Sequence, residues 1–316
     1  MKHLLIFAAL LALTGCSISE IEPAPPLEEE TAGKKIFHAV IDNEECETRV
    51  YLDNKIRIRW NAGDLITLFE GTTRNKQYIF LGDDGDNAGD FDLNKSGFGS
   101  GNDIDRYYAL YPYASSTKYG YGDEEDVPVP DYIKYTLPAT QTYKEKSIGP
   151  GANLMVAVTA DLDDFDLKFR NVCSYLRVKL YGTGQTVGSV VFKGNNGEAL
   201  SGIAAITPVY GGEPAISVKG TGTTITLDCG NGVEIAQTKE SATEFWLVVP
   251  PLNFPNGFTI TVNGFYGGSQ DFTITNNLTF LRNKYNTITR ELAISSEGTG
   301  MGVGNWGNGE SVEGQI

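Results

Sequence analysis

Residues 175–180 read YLRVKL. Leu176, Val178 and Leu180 alternate with Arg177 and Lys179. Successive side chains of a β-strand point to opposite faces, so this segment is a strand with one dry face and one wet face. The same period returns in KIRIRW (55–60), where Ile56, Ile58 and Trp60 oppose Arg57 and Arg59. It returns again in GFTITVNG (257–264), where Phe258, Ile260 and Val262 oppose Thr259 and Thr261. Short turn clusters separate such segments: GDDGDNAGD, KGNNGE, VYGGEP, CGNG and YGG, in a chain with 37 glycines. Short alternating strands joined by Gly, Asn and Asp turns predict an all-β protein built of tandem antiparallel β-sandwich domains. Helical periodicity is almost absent and no βαβ pattern is present, so a nucleotide-binding parallel sheet is not expected.

The N-terminus carries a different signal. A basic start at Lys2 and an apolar run from Leu4 to Leu13 lead into Leu13-Thr14-Gly15-Cys16. The run is shorter than the ~20 residues that a spanning helix takes. Small residues before a cysteine match the cleavage site of a lipoprotein signal peptide, with Cys16 acylated and then placed first in the mature chain. Two or more acyl chains suffice for stable anchoring. Residues 1–15 are therefore expected to be the signal peptide. Residues 16–33, SISEIEPAPPLEEETAG after the cysteine, have no periodicity and read as a flexible acidic tether. A proline-bearing stretch up to Asp161–Asp166, with a fresh strand from Leu167, divides the rest into domains at 34–163 and 164–295. The Gly/Asn-rich tail 296–316 completes the chain.

The formal net charge is −15, and loss of Lys2 with the signal makes the mature form one unit more acidic. Such a surface repels nucleic acid, so no nucleic-acid partner is expected. The histidines are His3 and His38, and His3 leaves with the signal, which excludes a multi-histidine metal site. No GxSxG elbow, phosphate-binding loop, HExxH or other catalytic motif is evident, so the chain is not expected to be an enzyme, nor to need a cofactor. Asp83, Asp84, Asp86, Asp90 and Asp92 do not follow a calcium-loop spacing and read as a solvated hairpin loop. Setting Cys16 aside, Cys46, Cys173 and Cys229 remain, an odd number with no CxxC pair. Cys173 and Cys229 fall in predicted strands, either as buried packing thiols or as one disulfide. The tyrosine-dense stretch RYYALYPYASSTKYGYGDEEDVPVPDYIKY is read first as core filling and edge cover, and second as a surface for stacking on sugars.

Several phrases stand in order along the chain: FHAVIDNEECETRVYLD, RWNAGDLITLF, RYYALYPY, YTLPATQTYKEKSIGPGANLMVA, LKFRNVCSYLRVKL, SVVFKGNNGEALSG, FWLVVPPLNFPNGFTITV and FLRNKYNTI. With the cysteine at the signal cleavage site, they resemble the fimbrillin family, lipoprotein precursors of type V pili, over essentially the whole mature chain. The resemblance implies transthyretin-like or Ig-like β-sandwich domains. It implies export by the lipoprotein machinery to the outer membrane, then cleavage by an arginine-specific surface protease and release into an extracellular fimbrium that serves cell adhesion. Carried onto this sequence, the cut falls between Arg49 and Val50 and removes a first strand spanning about Ile36 to Glu47. Phe37, Ala39 and Ile41 would occupy the slot before the cut, and a strand from another pilus subunit would fill it afterwards. The donor is either the tail, which has only Met301, Val303, Trp306, Val312 and Ile316 as apolar residues among glycines, or the segment Tyr285 to Ile294. The role is stalk or tip, with host or microbial surface ligands. The alternative is a surface glycan-binding lipoprotein.

Overall fold

The computed structural model describes residues 35–42, 58–70, 73–97, 104–121, 128–294 and 312–315. Among them the chain forms strands and no helix, in agreement with the all-β class expected from the alternation. The first strands are β1 (Phe37–Ile41), β2 (Leu65–Glu70), β3 (Thr73–Phe80), β4 (Ala88–Lys95), β5 (Tyr108–Tyr111), β6 (Lys118–Tyr121), β7 (Pro128–Leu137) and β8 (Thr140–Thr142). There follow β9 (Met155–Val158), β10 (Asp166–Asn171), β11 (Ser174–Tyr181), β12 (Thr186–Gly194), β13 (Gly202–Thr207), β14 (Ala215–Val218) and β15 (Thr224–Glu234). The last are β16 (Thr243–Val249), β17 (Asn253–Phe254), β18 (Phe258–Gly264), β19 (Ser269–Ile274), β20 (Leu278–Thr279), β21 (Lys284–Glu291) and β22 (Val312–Gln315).

Seven strands close a barrel in the order β1-β10-β9-β5-β2-β3-β4, with β4 returning to β1. Closure removes the unpaired edges that an open sheet presents. Its interior is aromatic: Phe37, Trp60, Tyr78, Phe80, Phe91 and Phe169 pack with Ile66, Leu68 and Leu167. Trp60 sits at the centre, 5.1–5.7 Å from the rings of Phe80, Phe91, Tyr111 and Phe169. Its own segment departs from expectation. Ile58–Trp60, the described part of KIRIRW, forms no strand. The Trp60 N–H donates to Asp86 O at 2.9 Å, and its carbonyl accepts from Gly85 N at 2.8 Å. The turn before β4 thus satisfies this backbone without a ladder, while alternation still buries the indole.

The C-terminal half is a sandwich. The sheet β16-β11-β21-β22 faces the sheet β19-β18-β12-β15-β8. Leu176, Val178 and Leu180, the dry face of YLRVKL, meet Phe192, Phe254, Phe258 and Phe280 between them. A third sheet, β14-β13-β7-β6, covers a further cluster in which barrel residues such as Tyr108 and Leu110 meet Tyr175, Trp246 and Val248 of the sandwich. The boundary drawn at residues 163/164 therefore runs between strands that share sheets. β10 pairs with β9 and β1, β7 with β13, and β8 with β15. The acidic break at Asp161–Asp166 marks an exposed connection rather than the rim of a core. The all-antiparallel expectation also gives way at three pairs, β1–β10, β11–β21 and β15–β8, which are parallel. Turn signals reveal hairpins, and parallel neighbours are joined by long crossovers that leave no such local mark.

A buried chain of amides ties barrel to sandwich. Tyr175 OH donates to Asn153 Oδ1 at 2.6 Å, Asn153 Nδ2 to Asn171 Oδ1 at 3.1 Å, and Asn171 Nδ2 to Asn283 Oδ1 at 2.8 Å. Asn283 holds φ at 57°, a left-handed conformation that asparagine tolerates better than most residues, and its N–H donates to Cys173 O at 2.9 Å. Buried polar groups joined this way are stabilising only while every member is paired.

Candidate functional site

β1 is the shortest route from sequence to site. FHAVI alternates, and its burial alternates with it: Phe37, Ala39 and Ile41 are buried, His38 is exposed and Val40 half-buried. The strand lies between β4 and β10. It pairs antiparallel with β4, Phe37 opposite Phe91 and Ala39 opposite Gly89, and parallel with β10, Ala39 opposite Leu167 and Ile41 opposite Phe169. Phe37 is edge-on to Tyr78 and Tyr107, with centroids 5.3 and 4.8 Å away. At Gly89 an added Cβ would meet the Phe80 ring at 2.7 Å, so the slot is narrow there, and it is the small Ala39 that lies opposite. Full burial of Phe37 and Ile41 is worth about 5 kcal/mol in apolar transfer.

Both ends of β1 are pinned. Lys35 Nζ reaches Tyr107 OH at 3.0 Å and Glu70 Oε2 at 3.3 Å, and Lys76 also pairs with Glu70. At the other end Asp42 accepts from Arg170 Nε at 3.0 Å, and its N–H donates to Phe169 O at 2.8 Å. His38 Nδ1 lies 3.0 Å from Asp90 Oδ1 on the outer face. Each pin joins residues distant in sequence, so no local pattern marks it. Locally the sequence shows only a charge within two residues of each end of an apolar strand, Lys35 before it and Asp42 after it. Without β1, β4 and β10 would each present a row of unpaired backbone groups beside an apolar trench.

The two C-terminal candidates occupy different positions. β21, which overlaps most of the segment Tyr285 to Ile294, is an interior strand between β11 and β22, and Ile288 in it and Leu292 just after it enter the sandwich core. β22, in the tail, is the edge strand, pairing antiparallel with β21 from Lys284↔Gln315 to Thr287↔Val312. β22 has one ladder, to β21, whereas β21 pairs on both sides and carries core residues. Cys16, Cys46, Arg49, Val50, Met301, Val303, Trp306 and Ile316 lie outside the described residues.

Cys173 and Cys229 are free and buried in separate clusters, and burial pushes both thiols up to about 12. Asp84 and Asp86 accept hydrogen bonds from the backbone N–H groups of Ala62 (2.8 Å) and Asp83 (2.9 Å), so these carboxylates organise the turn before β4. In the tyrosine-dense stretch, Tyr107, Tyr108, Tyr132 and Tyr135 are buried, which is the core-filling reading of that stretch.

No family model matches the chain, and no curated protein matches it. Solved structures do. One is a "putative cell adhesion protein" from Bacteroides uniformis, 15% identical, aligned over 83% of this chain and 94% of that one, with a TM-score of 0.46. A fimbrial protein from Bacteroides ovatus is 14% identical over 80% of this chain and 48% of that one, with a TM-score of 0.35. The tip fimbrial protein Mfa3 from Porphyromonas gingivalis, truncated at its C-terminus, is 7% identical over 80% and 92%, with a TM-score of 0.31. The solved structures to which this chain is similar are thus described as cell adhesion and fimbrial proteins.

Proposed function

We propose that the chain is the lipid-anchored precursor of a fimbrial subunit that serves adhesion, is not an enzyme, and assembles by exchanging its first strand for a strand of a neighbouring copy. The observation that carries this reading is the placement of β1. A five-residue strand closes the barrel, buries alternate side chains, and is followed closely in sequence by the Arg49–Val50 bond. A cut there frees the strand from the rest of the chain. Once β1 departs, the exposed backbone and the trench of Phe91, Leu167 and Phe169 demand a replacement strand. β22, at the end of its sheet with a single ladder, is the segment this reading makes the donor. A strand passed from each copy to the next, head to tail, makes an open filament rather than a closed ring.

Treatment of the purified soluble domain (residues 17–316) with an arginine-specific protease is expected to give a stable product beginning at Val50. That product is expected to form filaments visible by electron microscopy. Deleting residues 296–316 is expected to leave the trimmed product folded and unable to chain. Trimmed, full-tail protein that stays monomeric in size exclusion would refute strand exchange by this chain. The anchor is tested separately: labelled palmitate should enter the full-length precursor and not its Cys16→Ala variant, and equal labelling of both would remove the lipid from the proposal.

A further inference from the structure

The slot that β1 fills changes width along its length. Phe37 occupies a space walled by Tyr78, Tyr107 and Phe165, whose ring centroids lie 5.3, 4.8 and 5.5 Å away. At Ala39 the space closes. Ala39 lies opposite Gly89 of β4. Side chains directly opposite in a ladder point to one face, with Cβ atoms ~4.5–5.5 Å apart. The place of the missing Gly89 side chain is taken by the Phe80 ring, which an added Cβ would meet at 2.7 Å. That ring is boxed in. A Cβ on Gly82 would meet it at 2.5 Å, and Trp60 and Phe91 flank it at centroid distances of 5.7 and 5.2 Å. Further along, Ile41 is buried opposite Phe169. The slot therefore takes a large side chain, a small one and a large one, in the two-residue period of a strand.

That order of sizes discriminates between the C-terminal segments. In the tail 296–316, Val312, Gly314 and Ile316 are the only residues at positions i, i+2 and i+4 that run large apolar, small, large apolar. In Tyr285 to Ile294 the nearest equivalent, Ile288, Arg290 and Leu292, puts an arginine at the narrow point. Residues 312–315 are already extended as β22, at the end of its sheet with a single ladder. Placed in the slot in this phase, Glu313 and Gln315 take the outer face, where His38 is exposed and Val40 half-buried.

We propose that the strand donated by a neighbouring copy enters the slot in the direction of β1, with Val312 in place of Phe37, Gly314 in place of Ala39 and Ile316 in place of Ile41. This rests on the strand-exchange reading and adds the register to it. The direction keeps the antiparallel pairing with β4 and the parallel pairing with β10. Gly314 is the residue that decides admission, because a longer side chain there runs into the fixed Phe80 ring. Val312 is smaller than Phe37, so the donated strand leaves space beside Tyr78 and Tyr107 that a larger residue can fill.

The test follows filament growth by light scattering and electron microscopy after arginine-specific trimming of the soluble domain and its variants. Urea unfolding of each untrimmed variant checks that it folds. Wild type, Gly314→Ala and Gln315→Leu are expected to grow within ~3-fold of one another, because a methyl group fits at Ala39 and position 315 faces outward. Gly314→Leu is expected to slow growth ~10-fold or more, through overpacking against Phe80. Val312→Phe is expected to raise the urea concentration at which filaments dissociate, by filling the space beside Tyr78 and Tyr107, and it decides the matter should Gly314→Leu fail to fold. Growth of Gly314→Leu at the wild-type rate, a block by Gln315→Leu, or filaments of Val312→Phe no more resistant to urea than wild type would each overturn the register and leave strand exchange standing. Trimmed wild type that stays monomeric would overturn the exchange reading and the register with it.

Discussion

Phe37→Ala is expected to lower the free energy of unfolding by about 4 kcal/mol, within the range found for buried phenylalanines. Phe37 is fully buried, and its ring is in edge contact with Tyr78 and Tyr107 and in tilted contact with Phe165. Truncation loses the transfer free energy of the ring and leaves a cavity walled by β-strands, which relax little because their ladders hold them. The neighbour His38→Ala supplies the contrast. His38 faces solvent, and its contact to Asp90 is exposed on both sides, so its loss is expected to stay within about 0.5 kcal/mol. Urea denaturation of both variants measures the difference. A shift below about 1 kcal/mol for Phe37→Ala would mean that β1 contributes little to the folded barrel. The proposed exchange would then lack its driving force, because a slot that gains nothing from its own strand has little to gain from a donated one.

The second large effect is expected at Asn171. Replacing it by leucine, of similar size, breaks the amide chain on both sides at once. Asn153 Nδ2 loses its acceptor and Asn283 Oδ1 its donor, both in a region where water does not substitute. Each orphaned group costs roughly 1–3 kcal/mol, so about 4 kcal/mol is expected in total, more than the gain from burying an apolar side chain returns. Tyr175→Phe removes only the terminal hydroxyl of the chain and is expected to cost about 1–2 kcal/mol. The two single variants and the double variant form a cycle. A coupling energy near zero would show that the four side chains do not act as one network. The position matters for assembly as well as for stability. Asn171 ends β10, the parallel partner of β1, and Asn283 immediately precedes β21, the partner of β22.

These expectations rest on groups that sequence inspection values unequally. Alternation finds Phe37, Ala39 and Ile41 at once, because a strand's inward face is written locally in every second residue. The asparagines carry no such signal: Asn153 follows the turn-like GPGA and Asn171 ends the alternating DLKFRN, as ordinary turn and strand-end residues would. The same holds for Gly89. In GDDGDNAGD it reads only as a turn residue, and nothing local says that the Phe80 ring will lie against it.

By itself, then, the sequence determined the all-β class, the strands at YLRVKL and GFTITVNG with their inward faces, and the inward-facing residues of the first strand. These follow from the two-residue period of a pleated chain and from turn residues, and both act within a few positions. Only the tertiary structure decided that β1 closes a barrel by lying parallel to β10, that KIRIRW gives up its ladder to the turn before β4, and that sheets cross the boundary at residue 163. It alone decided that Cys173 and Cys229 end in separate cores, and that the Phe80 ring narrows the slot of β1 at Ala39. Each of these is a pairing between segments far apart in the chain, where many registers satisfy the same local pattern. The one that forms is selected by how whole sheets pack and by which buried backbone and polar groups find partners, and neither is expressed in any single stretch of residues.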